Sequence, residues 1–399
     1  MSTYVFLNIP ARGHINPTLP IVRELSARGA NVIYFLPEPF RELVEAVGGK
    51  FQALQNHTRS GSTGSGTAKP LGDDQIAILP FAMALRSTLV VPQLVESIKT
   101  TKPDCLVYNT MNLWARLVAQ ILGVRAVGFR PFHAPRVHRS VVGPFATEKL
   151  ASLAAAADQE LDRLAHLFGL SSLNLHKLVS VVEDLILVFM PKEFQFDGEA
   201  FDSRFSFVGP SLLQDNEIEE WPFAKPVIGE CLRVYISLGT LRNNEPEFYR
   251  ACLGAFDQRD WQVVMSVGHE INIGSLGPIP ENFVVKPSVK QVELLPNVDV
   301  FVSHGGLNST MESLYFGVPL VVIPSIREQR LTARRVQELG LGIALDREEL
   351  TPENLRECTR IAAHDSEMRT LVKVMQEVTR AAGGFRRATE ALVKFTSGS

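Results

Sequence analysis

Apolar residues near the start of the chain follow the spacing of a strand, then a helix, then a second strand. Residues 4–9 form an apolar run with the length of a buried strand, and residues 30–36 form another. Between them, apolar residues of the segment 19–25 recur at helical spacing, and Gly29 follows as a helix stop. The proline-flanked residues 10–17 are predicted to be a loop. This order predicts a parallel strand–helix–strand unit.

The same alternation recurs further along the chain. Residues 104–109 and 125–129 have the pattern of strands, and a helical pattern covers residues 112–123 between them. Around residues 207–231 the sequence becomes acidic and proline-spaced, which is typical of a linker. A second run of predicted strands and helices then covers residues 232–239, 247–256, 261–268, 298–304, 309–317, 319–324 and 331–340.

These patterns predict two α/β domains, each with a doubly wound parallel sheet. We place the first domain at residues 1–213, the linker at 214–230 and the second domain at 231–399. The last helix is expected to pack back on the first domain. Residues 56–72 are rich in Gly, Ser and Thr, which predicts either a surface loop or a loop that gates a substrate.

Charge and cysteine content remove several classes of protein. Forty Lys and Arg residues against 43 Asp and Glu residues leave a net charge of −3, which argues against a nucleic-acid protein held by a basic face. No run approaches the ~18 apolar residues that cross a bilayer, and no signal peptide precedes residue 4, so we predict a cytoplasmic protein without a membrane partner. Structural zinc and disulfides are not expected, because no CxxC pair joins the four dispersed cysteines, Cys105, Cys231, Cys252 and Cys358.

Several well-known chemical motifs are missing from the sequence. It has no GxxxxGK[ST] phosphate loop, and no GxGxxG follows the first strand. GxSxG and HExxH are also absent, and no Asp-x-Asp pair offers a metal site. We therefore predict no metal and no bound cofactor.

The segment 301–336 carries the strongest chemical signal. A predicted strand ends at His304, two glycines follow, and a helix starts close behind them. Glycines allow close approach of the backbone to a ligand, and a helix N-terminus attracts anions through its free N–H groups and its dipole. Three residue types that favour N-caps begin this helix, namely Asn308, Ser309 and Thr310.

This segment resembles the donor-binding signature of inverting, nucleotide-sugar-dependent glycosyltransferases of the GT-B type, within the UDP-glycosyltransferase superfamily. It is most similar to the bacterial macrolide and flavonoid enzymes, and residues 10–29, 188–212 and 234–240 resemble further parts of them. The resemblance implies two Rossmann-like doubly wound domains that face each other across a cleft. The first would bind a small hydrophobic acceptor, and the second would bind a UDP- or dTDP-sugar as co-substrate.

The resemblance also implies roles for particular residues of the second domain. His304, Asn308 and Ser309 would contact the diphosphate, Glu312 would bind the ribose, and Glu328 with Gln329 would hold the sugar hydroxyls. The full implied donor-binding set is Gly239, Thr240, Val289, Gln291, His304, Gly306, Asn308, Ser309, Glu312, Glu328 and Gln329.

His14, which follows the first strand, is the implied general base that takes the proton of the acceptor hydroxyl. Relatives usually hold this histidine with an aspartate, whose place is taken here by Asn109. Three explanations stay open. The acceptor is acidic, such as a phenol, and needs little help from a base; the sequence carries an inactivating substitution; or another carboxylate serves, with Asp73 and Asp74 as candidates.

A second departure concerns the nucleobase. Ser288 stands where relatives usually have an aromatic residue that stacks on the base, so the sequence leaves both uracil and thymine open. On the acceptor side, an apolar cleft would suit a flat or macrocyclic compound. The candidate lining residues are Phe81, Met111, Trp114 and Phe132, for which ordinary core packing is the alternative.

The sequence therefore predicts an inverting hexosyltransferase acting on a hydroxyl of a lipophilic natural product, either a flavonoid or other phenolic compound or a macrolide. Two rival interpretations share the fold. One is a non-catalytic or auxiliary nucleotide-sugar-binding protein, suggested by Asn109 and Ser288. The other is a sugar-nucleotide epimerase. Fold alone does not separate these functions.

Overall fold

The computed structural model describes residues 1–54, 73–134, 148–213, 221–223, 231–240 and 243–398. The chain divides into two compact units. The first unit combines Met1–Ser211 with Gly383–Ser399, and the second is Leu212–Ala382. The predicted loop at 56–72 and most of the predicted linker at 214–230 lie outside the described residues. Within the linker, Trp221 is described, and its Nε1 donates to Oε1 of Gln262 at 2.8 Å.

A seven-stranded parallel sheet forms the centre of the first unit, in the order β3-β2-β1-β4-β5-β6-β7. Its central strands are almost continuous apolar runs because both faces of a parallel sheet are covered by helices. Every residue of β4 is buried, for example. The strands are β1 (Thr3–Leu7), β2 (Asn31–Leu36), β3 (Lys50–Ala53), β4 (Cys105–Asn109), β5 (Arg125–Arg130), β6 (Ile186–Val188) and β7 (Phe205–Phe207).

Nine helices are described in the first unit. The sixth shows how local sequence sets its limits: the side chain of Asn112 caps the N–H of Ala115 at 3.2 Å, and Gly123 ends the helix with a left-handed φ of 61°. The nine are α1 (Arg12–Ile15), α2 (Leu19–Ala27), α3 (Arg41–Glu45), α4 (Asp73–Ala84), α5 (Ser87–Lys99), α6 (Leu113–Leu122), α7 (Glu148–Phe168), α8 (Leu175–Ser180) and, from the end of the chain, α15 (Gly384–Ser397).

The prediction of a loop over residues 10–17 is wrong. The segment is helical: α1 is followed at once by a 3-10 turn, Asn16–Thr18, that leads into α2. Ile15 is fully buried, and Pro17 stands at the start of the 3-10 turn, where its fixed φ is compatible with a helix and its missing N–H is not needed. His14 therefore lies on a helical turn and not in an irregular loop.

The second unit contains a six-stranded parallel sheet in the order β10-β9-β8-β11-β12-β13. Its strands are β8 (Leu232–Ser237), β9 (Trp261–Ser266), β10 (Phe283–Lys286), β11 (Val300–Ser303), β12 (Leu320–Val322) and β13 (Gly342–Ala344). The described helices of this unit are α9 (Pro246–Ala255), α10 (Gln291–Leu294), α11 (Leu307–Phe316), α12 (Arg327–Glu338), α13 (Pro352–His364) and α14 (Ser366–Ala381). The α/β class predicted for both halves is confirmed.

Apolar helices of the first unit raise the question of membrane insertion. In the part of the chain that the structure describes, no single helix is long and apolar enough to cross a bilayer. One sharply bent pair, Ile78–Ala84 with Ser87–Lys99, meets the length and composition criteria. Five residues of this pair's second helix, Val90, Val91, Leu94, Val95 and Ile98, are buried in the hydrophobic core of the unit.

Candidate active site

The strand order of the first unit reverses direction between its two central strands, β1 and β4. After β1 the chain continues to β2 on one side, whereas β4 pairs with β1 on the other side. In open α/β sheets, ligands bind beyond the carboxyl ends of the strands at such a reversal. His14 follows β1, and Asn109 is the last residue of β4. The fold therefore brings the two predicted catalytic residues to the reversal point.

His14 and Asn109 are in direct contact. The Nδ2 atom of Asn109 lies 2.8 Å from Nδ1 of His14. Asn109 is fully buried, and His14 is partly exposed. Burial lowers the pKa of His14 to about 4, because it disfavours the charged imidazolium. The imidazole is therefore neutral at neutral pH, as a proton acceptor must be.

A chain of buried polar groups supports this pair, and the sequence analysis missed it. Asn8 accepts a hydrogen bond from Asn109 at 3.3 Å and donates to the hydroxyl of Tyr34 at 2.8 Å. That hydroxyl in turn bonds to Thr18 Oγ1 at 2.8 Å. The sequence contains one indication of this network. Asn8 is a polar residue inside the apolar run at residues 4–9, and a buried asparagine requires hydrogen-bond partners.

The predicted acceptor residues fall into two groups. The Phe132 ring lies edge-on to the His14 ring, with 6.4 Å between centroids, and Met111 donates its N–H to Asn109 Oδ1 at 3.0 Å. In contrast, Phe81 is 1% exposed and Trp114 is 9% exposed, and both belong to the hydrophobic core. Core packing, which the sequence left open as the alternative, describes these two side chains.

A further charged residue, absent from the predicted set, lies beside Phe132. The guanidinium carbon of Arg130 sits 5.5 Å from the centre of the Phe132 ring, at the carboxyl end of β5. Its Nε atom is buried and has no hydrogen-bond partner among the described residues. Burial lowers the pKa of Arg130 to about 10, with the nearby Arg116 adding to this effect. Arg130 remains a cation at neutral pH.

The second unit repeats the same arrangement at its own reversal point, between β8 and β11. Gly239 and Thr240 follow β8, and His304 follows β11. A Cβ on Gly239 would lie 2.6 Å from Cε1 of His304, and one on Gly306 would lie 2.4 Å from its Nε2. The His304 ring therefore lies between the backbone of Gly239 and that of Gly306, and a side chain at either position would collide with it.

The His304 imidazole is neutral at neutral pH and lies next to a helix N-terminus suited to an anion. Burial lowers the pKa of His304 to about 4, and the backbone of Ser237 opposes part of this shift. Beside the ring begins α11, whose N-cap is Gly306 and whose N-terminus no side chain caps. An uncapped helix N-terminus next to a glycine turn is well suited to a phosphate.

The predicted N-cap role of Asn308, Ser309 and Thr310 is wrong. The helix begins at Leu307, so these residues lie within its first turn. Thr310 donates its N–H to Gly306 O at 3.0 Å as part of the helix. The reason is geometric: Gly306 already has the extended backbone of an N-cap, with φ −61° and ψ 133°.

Glu312, Gln291, Ser309 and Tyr235 form a connected polar cluster behind this turn. Gln291 Nε2 donates to Glu312 Oε2 at 2.5 Å and to Ser309 Oγ at 3.2 Å, and its Oε1 accepts from the Tyr235 hydroxyl at 3.3 Å. Burial raises the pKa of Glu312 to about 7, and the bond from Gln291 opposes this shift. A carboxyl group in this state can accept hydrogen bonds from a diol when ionised.

The remaining predicted donor residues are spread over two further segments. Ser288 is exposed and Val289 is partly exposed, just before α10. Glu328 is exposed on the first turn of α12. Gln329 is 6% exposed, and its Oε1 already accepts from the N–H and the hydroxyl of Ser325, at 2.8 and 2.9 Å. Its amide nitrogen is the polar atom that remains for a ligand.

Across the residues with described positions, no three His, Cys, Asp or Glu side chains come together in a group that could hold a metal ion. The polar groups at the two reversal points are instead histidines, amides, hydroxyls and backbone N–H groups, with one carboxyl, Glu312, and one guanidinium, Arg130. These groups suit an anionic, hydroxyl-rich ligand better than a hard cation, which prefers several carboxylates.

Comparisons with known proteins identify the family. The C-terminal domain of the erythromycin biosynthesis protein CIII-like family matches residues 250–382. The NDP-glycosyltransferase YjiC of Bacillus subtilis (strain 168) is 39% identical over 98% of this chain and 96% of its own length. The demethyllactenocin mycarosyltransferase of Streptomyces fradiae is 32% identical over 96% of this chain and 84% of its own length.

The fold agrees with this assignment. The crystal structure of the glycosyltransferase of kitacinnamycin superposes with a TM-score of 0.84 at 29% identity, covering 99% of this chain and 98% of the other. Among the residues that carried the resemblance, His14 and His304 lie at the two reversal points described above. The chain belongs to the GT-B glycosyltransferases of the bacterial macrolide type and is a sugar-transferring enzyme.

Proposed function

We propose that the enzyme transfers a hexose from a UDP- or dTDP-sugar to a hydroxyl of a lipophilic natural product, with inversion at the anomeric carbon. The observation that carries this proposal is the His304 ring held between Gly239 and Gly306 at the uncapped start of α11. Such a turn is well suited to bind a diphosphate. YjiC, by its name, takes nucleoside diphosphate donors, which supports the same donor class here.

The donor would be bound in parts by different groups of the second unit. Backbone N–H groups at the start of α11 and neutral His304 would receive the diphosphate. The ionised form of Glu312, held by Gln291, would accept hydrogen bonds from the ribose hydroxyls. Glu328 and the free amide nitrogen of Gln329 would bind the hexose. These contacts also stabilise the negative charge that grows on the departing diphosphate.

On the acceptor side, His14 is proposed to act on the reacting oxygen. That oxygen attacks the anomeric carbon while the bond to the diphosphate breaks on the opposite face, and the diphosphate leaves with the electron pair. The proton of a neutral hydroxyl would pass to His14 as general base. Phe132 and Met111, which flank the His14–Asn109 pair, would contact the acceptor.

The acceptor class is proposed from the same neighbourhood. An aromatic ring beside a neutral histidine favours an apolar compound with one reactive hydroxyl, such as a phenolic compound or a macrolide. The mycarosyltransferase and the kitacinnamycin enzyme, by their names, act in the making of natural products. This agreement supports a lipophilic acceptor for the present enzyme.

A mass-spectrometric transfer assay tests the proposal. The protein is incubated with UDP-glucose or dTDP-glucose and a panel of flavonoids and macrolides, and the expected result is an acceptor heavier by one hexose. With an acceptor that reacts as a neutral alcohol, His14→Ala is expected to lower kcat by about 10²–10⁴, the usual size of a general-base effect. Its Kd for UDP-glucose, measured by calorimetry, should match that of the native chain.

Two outcomes would count against the proposal. Binding of the nucleotide sugar without transfer to any acceptor of the panel counts against the proposed acceptor class. Undiminished transfer by His14→Ala removes His14 from the reaction, while leaving the donor assignment intact.

A further inference from the structure

We propose that Asn109 is a positioning residue that holds neutral His14 in the tautomer with its proton on Nε2. The imidazole then offers an N–H, and not a lone pair, to the acceptor, so the enzyme favours acceptors whose hydroxyl reacts as an oxyanion. This inference rests on the proposed function and specifies how His14 is used within it.

The orientation of the Asn109 amide is fixed by a backbone group. Its Oδ1 lies 3.0 Å from the N–H of Met111, which can only donate. If the amide were flipped, its NH₂ group would face this N–H, and two donors would oppose each other. Oδ1 must therefore point to Met111, and Nδ2 must point the other way, where His14 lies.

Asn8 fixes the same orientation independently. Its Oδ1 accepts from the N–H of Ile9 at 2.8 Å, and its Nδ2 donates to the carbonyl oxygen of His14 at 2.8 Å. Both partners are backbone atoms, so this amide cannot be flipped either. The atom of Asn8 that faces Asn109 Nδ2 at 3.3 Å is therefore an acceptor, and Nδ2 is the donor that it requires.

The tautomer of His14 follows from these contacts. Because Asn109 Nδ2 donates at 2.8 Å, the Nδ1 atom of His14 must accept. A neutral imidazole carries one proton, which is then on Nε2. The opposite tautomer would lose this hydrogen bond and place two N–H groups against each other at the same distance. An aspartate at this position would have the reverse effect and leave Nε2 free to accept.

Arg130 adds a second feature that favours an oxyanion. Its guanidinium and the His14 ring contact the same Phe132 ring. In the described part of the chain no carboxylate pairs with this guanidinium and no hydrogen bond to it is found, and its Nε is buried. A partly buried cation without a carboxylate partner is costly, and this cost is offset when an anionic ligand binds.

Among the described residues, two titratable groups near this ring have pKa values far from neutral. Tyr34, which contacts the network through Asn8, has a pKa raised by burial, and Arg130 keeps a pKa of about 10. Arg12, on the same helical turn, is exposed. Over the range from pH 6 to 9, Tyr34 and Arg130 therefore keep a constant charge.

The chemical step differs between the two classes of acceptor. A phenol loses its proton to solvent, and its oxyanion attacks the anomeric carbon as the carbon–oxygen bond to the diphosphate breaks. His14 Nε2–H and Arg130 stabilise the oxyanion as it binds. A neutral aliphatic alcohol must instead give its proton to Nε2 during the attack, which requires the disfavoured tautomer of His14.

Nitrogen-15 NMR of the histidine rings tests the tautomer without reference to activity. The chain has nine histidines, and the His14 signals are those lost in His14→Ala. At pH 7.5, the native protein should show a protonated Nε2 and an unprotonated Nδ1 at His14. Asn109→Asp should reverse this pattern. Asn272→Asp, an exposed change in the second unit that keeps the cap of the 3-10 turn Ile273–Leu276, should leave the native pattern in place.

Transfer kinetics test the consequence, with 4-nitrophenol, 4-methylphenol and 2-phenylethanol as acceptors. In the native enzyme, kcat/KM should rise with pH until each phenol is ionised. Asn109→Asp should raise kcat/KM for 2-phenylethanol at least about tenfold relative to that for 4-nitrophenol. Arg130→Met should lower it more for the phenols than for the alcohol.

The possible failures are distinguishable. An NMR pattern with the proton on Nδ1 in the native protein overturns the proposal, whatever the assays show. Equal pH dependence for phenols and the alcohol overturns its consequence for acceptor choice. Absence of transfer by every variant, with the expected NMR pattern present, counts against the proposed function and leaves the tautomer assignment standing.

Discussion

Gly306 approaches His304 so closely that a single methyl group at position 306 would lie 2.4 Å from the imidazole Nε2. Real Cβ atoms essentially never come this near to another heavy atom, so the ring would have to move. The backbone of Gly306 has φ −61°, which any residue adopts. The requirement for glycine at this position therefore comes from the His304 ring and not from backbone strain.

Gly306→Ala is expected to raise the Kd for UDP-glucose at least about tenfold. The added methyl group displaces the His304 ring, which then either obstructs the proposed diphosphate site or no longer contacts the diphosphate. A displacement costing 1.4 kcal/mol of binding energy gives a change of that size. Calorimetric titration measures it. Gly254→Ala is the matched control: its Cβ meets Pro352 at an ordinary 3.5 Å and lies inside α9, where alanine favours the helix. Equal affinities in the two variants would contradict the prediction.

The affinity for the donor is expected to depend on pH through Glu312. The raised pKa of about 7 means that the free protein holds a neutral Glu312 below pH 7 and a carboxylate above it. If the carboxylate is the form that accepts from the ribose, Kd for UDP-glucose should fall about tenfold between pH 6 and pH 8, as the competent fraction rises.

Glu312→Gln supplies the control for this pH dependence, because glutamine keeps the size of the side chain and does not titrate. Its Kd should be constant over the same range. His304 contributes little in the free protein, since its pKa of about 4 lies below the window. A native Kd that is constant from pH 6 to pH 8 would show that Glu312 does not bind the ribose as a carboxylate.

The stability of the first unit is expected to depend on a buried ion pair. Arg116 Nε donates to Glu183 at 3.1 Å, and the hydroxyl of Tyr108 bonds to the same carboxylate. The two charged side chains are 8% and 16% exposed. Arg116→Met leaves Glu183 unpaired and should lower the free energy of unfolding by about 3–5 kcal/mol, measured by urea denaturation.

A second variant separates charge from packing at this pair. Arg116→Met combined with Glu183→Leu removes both charges and should recover most of the loss, because apolar replacement of a buried pair is often close to neutral. Glu247→Ala breaks an exposed pair with Arg250 and should have little effect. A loss in Arg116→Met no larger than that in Glu247→Ala would refute the role of the buried pair.

The sequence alone predicted the α/β alternation, because apolar runs such as β4 and β8 are long and are separated by helical repeats. It also predicted the order of strand, glycine pair and helix at His304 and Gly306, which the structure has; the anion site inferred from this order stays a prediction. It missed short strands such as β6 and β13, which have three residues each and too few positions to show a period.

Other features could not be found from local sequence because they depend on distant contacts. Asn8 meets Asn109 across 101 positions, and Gln291 meets Glu312 across 21. Trp114 illustrates the opposite case: its apolar helical face indicated core packing, and its Nε1 donates to the carbonyl of Met83 at 2.8 Å within that core. The spacing of apolar residues identifies the buried face of a helix. Contacts between residues of different elements can be identified only in the folded chain.

The first unit is made from two separate lengths of chain, with the second unit between them. Helix α15 packs on α2, Gly384 donates its N–H to Val208 O at 2.6 Å, and Arg125 donates to the carbonyls of Phe395 and Thr396. During synthesis on the ribosome, the second unit is therefore complete before the first. An engineer who exchanges acceptor units between relatives must transfer residues 1–211 and 383–398 together, because a single junction near residue 212 would combine helix α15 of one parent with a sheet of the other.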